Sequence, residues 1–313
     1  MIDPIIYSFN IGGLTITLRW YGLLVMGAIV VGTFIVDREF KRKGGDPDHI
    51  WNALVWVVPA ALIGARLWYV INATAGGSRY YLDQPGRILL ITEGGLHIFG
   101  GLILGGLTAY WYARRNRLDW IMLLDSVAPA LLIGQAFARP ANFINQELYG
   151  PPTDLPWGIP IEAENRIPPW DDMQAFPEST RFHPTFAYEM IWNLITGGIL
   201  LWLSRKYSER LKPGTLFYAW LIAAGLGRFL IEAFRPDQPR IPGTAVSYSR
   251  VIAGLMAVAG FVGMLVRYEK LKLSFWPAGP ESYRLPRRRK SSAKKASATR
   301  QKPAKKEKKR RRK

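Results

Sequence analysis

The chain has 313 residues, 49% of them hydrophobic, and a formal net charge of +19. It contains no cysteine, which excludes disulfides, cysteine-ligated zinc and a cysteine nucleophile of its own. The charge is concentrated at one end, because Arg284 to Lys313 hold 17 basic residues and one acidic residue, or +16 of the total. The remainder contains all 12 Trp, 14 Phe and 14 Tyr, a composition typical of a membrane protein rather than a soluble one.

Seven apolar runs follow one another along the chain. A helix needs about 20 mostly apolar residues to cross the hydrocarbon core of a bilayer. The runs are Trp20 to Val36, Trp51 to Ile71, Leu96 to Ala113, Trp120 to Phe137, Thr185 to Leu203, Thr215 to Phe234 and Val246 to Val266. They predict an all-α integral membrane protein with about seven transmembrane helices.

The basic residues between these runs predict the orientation. REFKRK (38–43), RRNR (114–117), RKYSERLK (205–212) and the chain after Val266 occur at alternate ends of successive runs. Short cytoplasmic loops carry an excess of Lys and Arg, so these segments are expected in the cytoplasm and the N-terminus outside.

The remaining connections are Pro-rich with mixed charges, and we expect them to cap the outer ends of the helices. Residues 1–270 then form a polytopic membrane domain, and residues 271–313 form a basic cytoplasmic tail without a packed structure. The tail is expected to bind the anionic surface of the membrane, and no specific nucleic acid is expected as a partner.

Ionisable residues lie inside or beside these predicted spans. Each costs at least about 2.5 kcal/mol at the centre of a membrane helix, so each needs a partner or a function. They are Arg66, Glu93, Asp125, Arg139, Glu147, Glu189, Arg228, Glu232 and Arg235.

Arg228, Glu232 and Arg235 stand at i, i+4 and i+7, so on a helix they share a face and Glu232 can pair with either arginine. Two interpretations remain open. The three residues are a self-neutralised structural group, or the two arginines leave a positive charge that suits an anionic headgroup.

The stretch GGLHIFGGLILGG, residues 94–106, combines helix-packing glycines with a histidine. Gly101 and Gly105 have the spacing of close helix packing. Gly94 and Gly95 would also allow a bent backbone to approach a ligand. His97 is either a hydrogen-bonded structural group or a base.

The segment ARPANFINQELYG, residues 138–150, follows the fourth run and carries an arginine, two asparagines and a glutamate. It resembles the signature of the prolipoprotein diacylglyceryl transferases, Gly-Arg-x-Gly-Asn-Phe-hydrophobic-Asn-x-Glu-x-x-Gly. Of its nine specified positions seven match, and Ala138 and Ala141 replace glycines. RWYGL, GARLWYV, EGGLHIFGGLI, HPTFAYE and RFLIEAFRPD also resemble family motifs, in the family's order, so the resemblance covers nearly all of residues 1–270.

The resemblance implies an enzyme of the bacterial cytoplasmic (inner) membrane. It would transfer the diacylglyceryl group of phosphatidylglycerol to the lipobox cysteine thiol of a preprolipoprotein, forming a thioether and releasing glycerol 1-phosphate, with no metal or other cofactor. Arg139 and Arg228 match the family's essential arginines and are expected to stabilise the leaving phosphate. The same resemblance places the lipid headgroup against Arg139, Asn142, Glu147, Gly150, Tyr21, Arg66, Gly94 and Gly95, and Asn142 and Glu147 would either bind the headgroup or orient Arg139. Glu232, Arg235 and Asp125 are expected in structural or supporting positions.

Two departures affect the proton acceptor. Many family members have a histidine where this chain has Phe99 and a tyrosine where it has Ala224. His97 replaces the missing histidine only if the segment around Gly94 and Gly95 is not regular helix. A carboxylate as the base, or direct ionisation of the substrate thiol, is the alternative.

A membrane transporter for an anionic solute or lipid would also place arginines at membrane depth, and it is the alternative function. No internal repeat of the kind found in many transporters is apparent in the sequence.

Overall fold

A computed structural model describes residues 2–11, 14–90, 94–235 and 238–284. Glu93, residues 236–237 of the RFLIEAFRPD motif and the basic tail from residue 285 onward lie outside these ranges. The described part is mostly helical, which confirms the predicted all-α membrane class.

A short antiparallel hairpin precedes the first helix. Its strands are β1 (Ile5–Ile11) and β2 (Leu14–Arg19), with Phe9 opposite Ile16. Ile16 and Thr17 belong to the β-branched residues that favour strands. This hairpin was not predicted from the sequence.

Nine α-helices follow within the described ranges, numbered in chain order. The long ones are α1 (Trp20–Arg42), α2 (Asp48–Ala75), α4 (Ile98–Arg115), α5 (Trp120–Ala138), α7 (Thr185–Lys206), α8 (Thr215–Ile231) and α9 (Tyr248–Arg267). The short ones are α3 (Tyr80–Asp83) and α6 (Pro140–Ile144), and 3-10 turns occur at Pro85–Leu89, Ala163–Asn165 and Glu232–Phe234. A two-residue ladder joins β3 (Ile159–Pro160) to β4 (Arg181–Phe182) within the long connection before α7.

Six of the seven predicted spans are confirmed as helices long and apolar enough to cross a membrane. They comprise α1, α2, α5 together with α6, α7, α8 together with its 3-10 turn, and α9. The seventh prediction corresponds to α4, which has 18 residues and ends in two arginines, and it does not meet the same criterion. The count of seven and the orientation stay predictions.

Helix α5 lies at the centre of the bundle and packs against α1, α7 and α8, while α9 packs along α8. The pair α2 and α4 pack mainly on each other, at a contact of backbone against backbone. A Cβ atom added to Gly100 would lie 2.0 Å from the carbonyl oxygen of Gly64, and one added to Gly64 would lie 2.3 Å from that of Gly100. Gly101 and Gly105 also face α2, toward Ala61, so the packing interpretation of these glycines is confirmed.

The basic segments predicted to share one side of the membrane lie at one end of the bundle, called here the basic end. Glu39, which is 1% exposed, contacts Arg42 at 2.8 Å and Arg205 at 3.3 Å, and so connects the ends of α1 and α7. His49 at the start of α2 lies 3.3 Å from the hydroxyl of Tyr112 near the end of α4.

Asp125 belongs to this basic end, about 21 Å along α5 from Arg139 at the rise of a regular helix. Its carboxylate accepts hydrogen bonds from the amides of Gly214 and Phe217, at 2.5 and 2.9 Å, and from the Tyr283 hydroxyl at 2.8 Å. A carboxylate at the N-terminus of α8 satisfies amides that have no partner within the helix. Burial, together with the neighbouring carboxylate, raises the pKa of Tyr283, so this hydroxyl stays a donor.

Candidate functional site

Three helix ends meet at the end of the bundle opposite the basic end, called here the signature end. Arg139 follows the last residue of α5, Glu189 is the fifth residue of α7, and Arg228 lies in the last turn of α8. Gly150 joins these elements, because its amide donates to the carbonyl of His183 at 2.8 Å. A Cβ at Gly150 would lie 2.8 Å from the carbonyl oxygen of Phe234, so only glycine allows this approach.

A single carboxylate lies between the two arginines. Arg139 Nη2 donates to Glu189 Oε1, and Arg228 Nη1 lies 3.9 Å from Glu189 Oε2. The three side chains are 19%, 27% and 12% exposed for Arg139, Arg228 and Glu189, so they are shielded but open to a ligand. Sequence analysis recognised Glu189 as a polar group at membrane depth but assigned it no partner.

Each arginine keeps donors that the described residues do not use. Arg139 Nη1 donates to Asn142 Oδ1 at 3.1 Å, whereas its buried Nε has no hydrogen-bond partner among the residues described. Among the same described residues, the one hydrogen bond that Arg228 donates runs from its Nε to Ser249 Oγ, at 3.1 Å. An unpaired buried donor such as Arg139 Nε is costly, and the terminal N–H groups of Arg228, whose side chain is 27% exposed, are open to an oxyanion.

Glu232 pairs with Arg228, as the i, i+4 spacing predicted. Its Oε2 lies 2.9 Å from Arg228 Nε, and its Oε1 accepts from Ser247 Oγ at 2.8 Å. Ser247 and Ser249 flank the start of α9 and were missed by sequence analysis, since nothing local indicates which residues face α8.

Arg235 does not continue the regular helix face that was predicted. The α-helix ends at Ile231, a 3-10 turn covers Glu232–Phe234, and Arg235 has an extended backbone with φ −113° and ψ 100°. The reason is Pro236, since the residue before a proline is disfavoured in the helical conformation. Arg235 is 8% exposed.

The signature segment forms a tight polar loop after α6. Glu147 Oε1 accepts from the amides of Asn142 and Asn145, at 2.8 and 3.3 Å. The chain from Arg139 through Asn142 to Glu147 is therefore continuously hydrogen-bonded. A cavity of about 220 Å³ adjoins it, lined by Asn145, Gln146, Glu147, Leu148, Tyr149, Asn165 and Ile167.

Two residues of this loop hold the left-handed conformation that side chains rarely adopt, Gln146 with φ 51° and Leu148 with φ 56°. The Gln146 side chain donates to the Glu162 carboxylate at 2.7 Å and accepts from the Glu162 amide at 2.8 Å. The hydrogen bond from Gln146 holds the pKa of Glu162 below its usual value. The long connection before α7 thus fixes the signature loop in a strained shape.

Arg66 is committed to the backbone of the loop between α2 and α4. All five of its N–H groups face carbonyl oxygens, at distances from 2.7 to 3.2 Å: those of Arg87, Ile88, Leu90, Gly94 and Gly95. Gly94 and Gly95 have φ values of +85° and +71°, so the predicted bent backbone is confirmed. A Cβ at Gly95 would lie 2.6 Å from both Arg66 Nη1 and Tyr69 Cε1, so these two side chains approach this glycine.

We expect Arg66→Lys to destabilise this loop. Lysine keeps the charge but has three donors instead of five and no planar fork, so at least two of these partly buried carbonyls lose their partner, at about 1–3 kcal/mol each. The melting temperature in detergent should fall, and chymotrypsin should cleave the loop faster. Arg79→Lys, at an exposed position before α3, is the matched control, and equal behaviour of the two variants would contradict the assignment.

His97 is the N-cap residue of α4, with φ −114° and ψ 125°, so the condition for it to replace the missing histidine is met. Its Nδ1 accepts weakly from the Phe99 amide at 3.4 Å, and its ring lies beside those of Trp68 and Phe99. No hydrogen bond joins it to Arg139 or Arg228 within the described residues.

Tyr21, in the first turn of α1 and 46% exposed, belongs to the helix that packs beside α6.

Known proteins of one family are similar to this chain over most of its length. The model of the family described as prolipoprotein diacylglyceryl transferase matches residues 7–266. The chain is 37% identical over 270 residues to the phosphatidylglycerol–prolipoprotein diacylglyceryl transferase of Chloroflexus aggregans, covering 84% of this chain and 86% of that one. Proteins of the same name from Bifidobacterium longum and Trichormus variabilis are 38% and 37% identical; the matches cover 81% and 82% of this chain and 78% and 89% of theirs. The chain belongs to the prolipoprotein diacylglyceryl transferase family.

Proposed function

We propose that this protein transfers the diacylglyceryl group of phosphatidylglycerol to the lipobox cysteine thiol of preprolipoproteins, in the bacterial cytoplasmic membrane. The observation that carries the proposal is the convergence of Arg139 and Arg228 on one anionic position at the end of apolar helices. Family membership supports the same reaction.

In this reaction the thiol sulfur bonds to a glycerol carbon, and the bond from that carbon to the phosphate oxygen breaks. The phosphate group passes from a diester with charge −1 to a monoester approaching −2. Arginine donors that face its oxygens therefore bind the transition state more strongly than the ground state. The unused donors of Arg139 and Arg228 are suited to this role.

The glycerol headgroup is assigned to the signature loop. Asn142 supplies an amide beside Arg139, Glu147 supplies a carboxylate beside Asn142, and the adjoining cavity of about 220 Å³ has room for a small polyol. Tyr21, Gly94, Gly95 and Gly150 are proposed to shape the same site. Arg66 would contribute by holding the loop that carries Gly94 and Gly95.

The test is an assay with purified protein, vesicles containing phosphatidylglycerol and a lipobox peptide. Transfer is expected to add the mass of one diacylglyceryl group to the cysteine peptide and to release glycerol 1-phosphate. Movement of an anionic solute or lipid across the membrane without any modified peptide would favour a transporter instead.

We propose that His97 is the base that accepts the proton of the thiol. A free thiol has a pKa of about 8.5 and must ionise to attack. His97→Ala is expected to lower transfer by about 100-fold or more, as loss of a general base usually does. The initial rate of peptide modification measures this effect, and near-normal transfer would remove His97 from the mechanism.

The basic tail is proposed to bind anionic lipid at the cytoplasmic surface, which is the role its composition predicts.

A further inference from the structure

Glu189 differs from the other carboxylates near the site in what holds it. Within the described residues, its only hydrogen-bond or ion-pair partners are Arg139 and Arg228. Glu232 is also held by Ser247, and Glu147 by two asparagines. A carboxylate presents two oxygens to guanidinium groups much as one edge of a phosphate does.

We propose that Glu189 is an internal anion, which occupies the phosphate position between Arg139 and Arg228 while the site is empty and leaves it when a phosphate binds. The inference rests on the proposed function, since it takes these two arginines as the phosphate ligands. It makes Glu189 a positioning residue for the arginines and a competitor of both the substrate and the product.

Glu189 offsets the repulsion between the positive charges of Arg139 and Arg228. Without Glu189 the two guanidinium groups repel each other, and Glu232 is the one other carboxylate of the described residues that contacts Arg228 to offset this repulsion. With Glu189 they stay aligned on one point before the lipid arrives. The preorganised donors then need little rearrangement when negative charge develops on the leaving phosphate.

The same carboxylate would assist product release. Glycerol 1-phosphate leaves with a charge approaching −2, and two arginines in a shielded site would otherwise hold such a dianion tightly. A carboxylate that returns to the arginines repels the product and replaces it. Its effect on a dianion should be about twice its effect on a monoanion, in free energy, because the interaction scales with charge.

The experiment measures binding of two soluble probes to the purified full-length protein by calorimetry at pH 8. Glycerophosphoglycerol carries the charge of the lipid phosphate, −1, and glycerol 1-phosphate carries close to −2. In Glu189→Gln we expect about tenfold tighter binding of the first and about 100-fold tighter binding of the second, since a competing like charge is removed. The turnover number with phosphatidylglycerol should fall while KM also falls.

Three further variants make the result specific. Glu189→Ser removes the same charge. It should tighten the binding of both probes, and that of glycerol 1-phosphate more than that of glycerophosphoglycerol. Glu189→Asp keeps the charge and should bind both probes as the wild type does. Glu209→Gln removes an exposed carboxylate near the basic end, between α7 and α8, and should change nothing.

A merely structural role predicts the opposite sign. Unchanged or weaker binding of both probes in Glu189→Gln would overturn the inference, and so would equal tightening of the two. Failure of both the Gln and the Ser variant to yield folded protein would assign Glu189 to structure and overturn it as well. These outcomes are distinct from failure of the proposed function, in which the wild type itself binds neither probe and modifies no peptide.

Discussion

Replacing Arg139 or Arg228 by alanine is expected to abolish diacylglyceryl transfer while the protein stays folded. Removal of a single donor to a developing oxyanion commonly costs about 100- to 1,000-fold in rate. Each alanine variant removes a complete guanidinium, and it leaves Glu189 with one arginine instead of two. We therefore expect a loss of at least about 1,000-fold in the rate of peptide modification.

Lysine variants and an exposed arginine provide the controls. Arg139→Lys and Arg228→Lys keep the charge but lose the planar fork, so they should retain part of the activity. Arg79→Ala, at an exposed site before α3, should leave transfer unchanged. Transfer within tenfold of the wild-type rate in either alanine variant would remove that arginine from the phosphate site.

The second large effect is expected at the contact between α2 and α4. In Gly100→Ala the new methyl group would lie 2.0 Å from the Gly64 carbonyl oxygen and 2.4 Å from Trp68 Cβ, so the two helices must separate. Overpacking usually costs about 1–3 kcal/mol, and a clash with backbone that cannot rotate away should reach or exceed the upper value. A fall in the melting temperature, together with faster proteolysis of the loop held by Arg66, measures this loss of stability.

Gly106→Ala is the matched control on the same helix. Apart from its chain neighbours and its own helix backbone, no atom of the described residues lies within 4 Å of a Cβ added there, so the substitution should be neutral or slightly stabilising through its helix propensity. If the two alanine variants melted at the same temperature, the close approach of α2 and α4 would be contradicted.

The sequence predicted the helices well because their cause is local. About 20 consecutive apolar residues are required by the thickness of the bilayer, and basic segments mark the connections. The six confirmed spans and the common basic end follow from these two features. The hairpin of β1 and β2 was missed, since short apolar segments beside a membrane span give no separate signal of this kind.

The candidate site was predictable only in part. The signature segment indicated Arg139, Asn142 and Glu147, and these side chains are indeed joined by hydrogen bonds. Spacing on a helix indicated the pair of Arg228 and Glu232. Their roles in binding lipid stay predictions.

The partners of Arg66 and Glu189 could not be derived from the sequence. Arg66 donates to a loop that begins 21 residues later, and Glu189 lies 50 residues after Arg139 and 39 residues before Arg228. The free-energy cost of a charged side chain at membrane depth indicates that such residues need a partner, but it does not identify the partner.

Local composition and one nearly intact motif are enough to predict that this chain is a helical membrane protein and which of its arginines are candidates for a phosphate. The position of one carboxylate between those arginines, and the loop that Arg66 holds, are visible only in the folded chain. The reason is that these contacts depend on which helix ends pack together, and helix packing is set by surfaces distant in the chain.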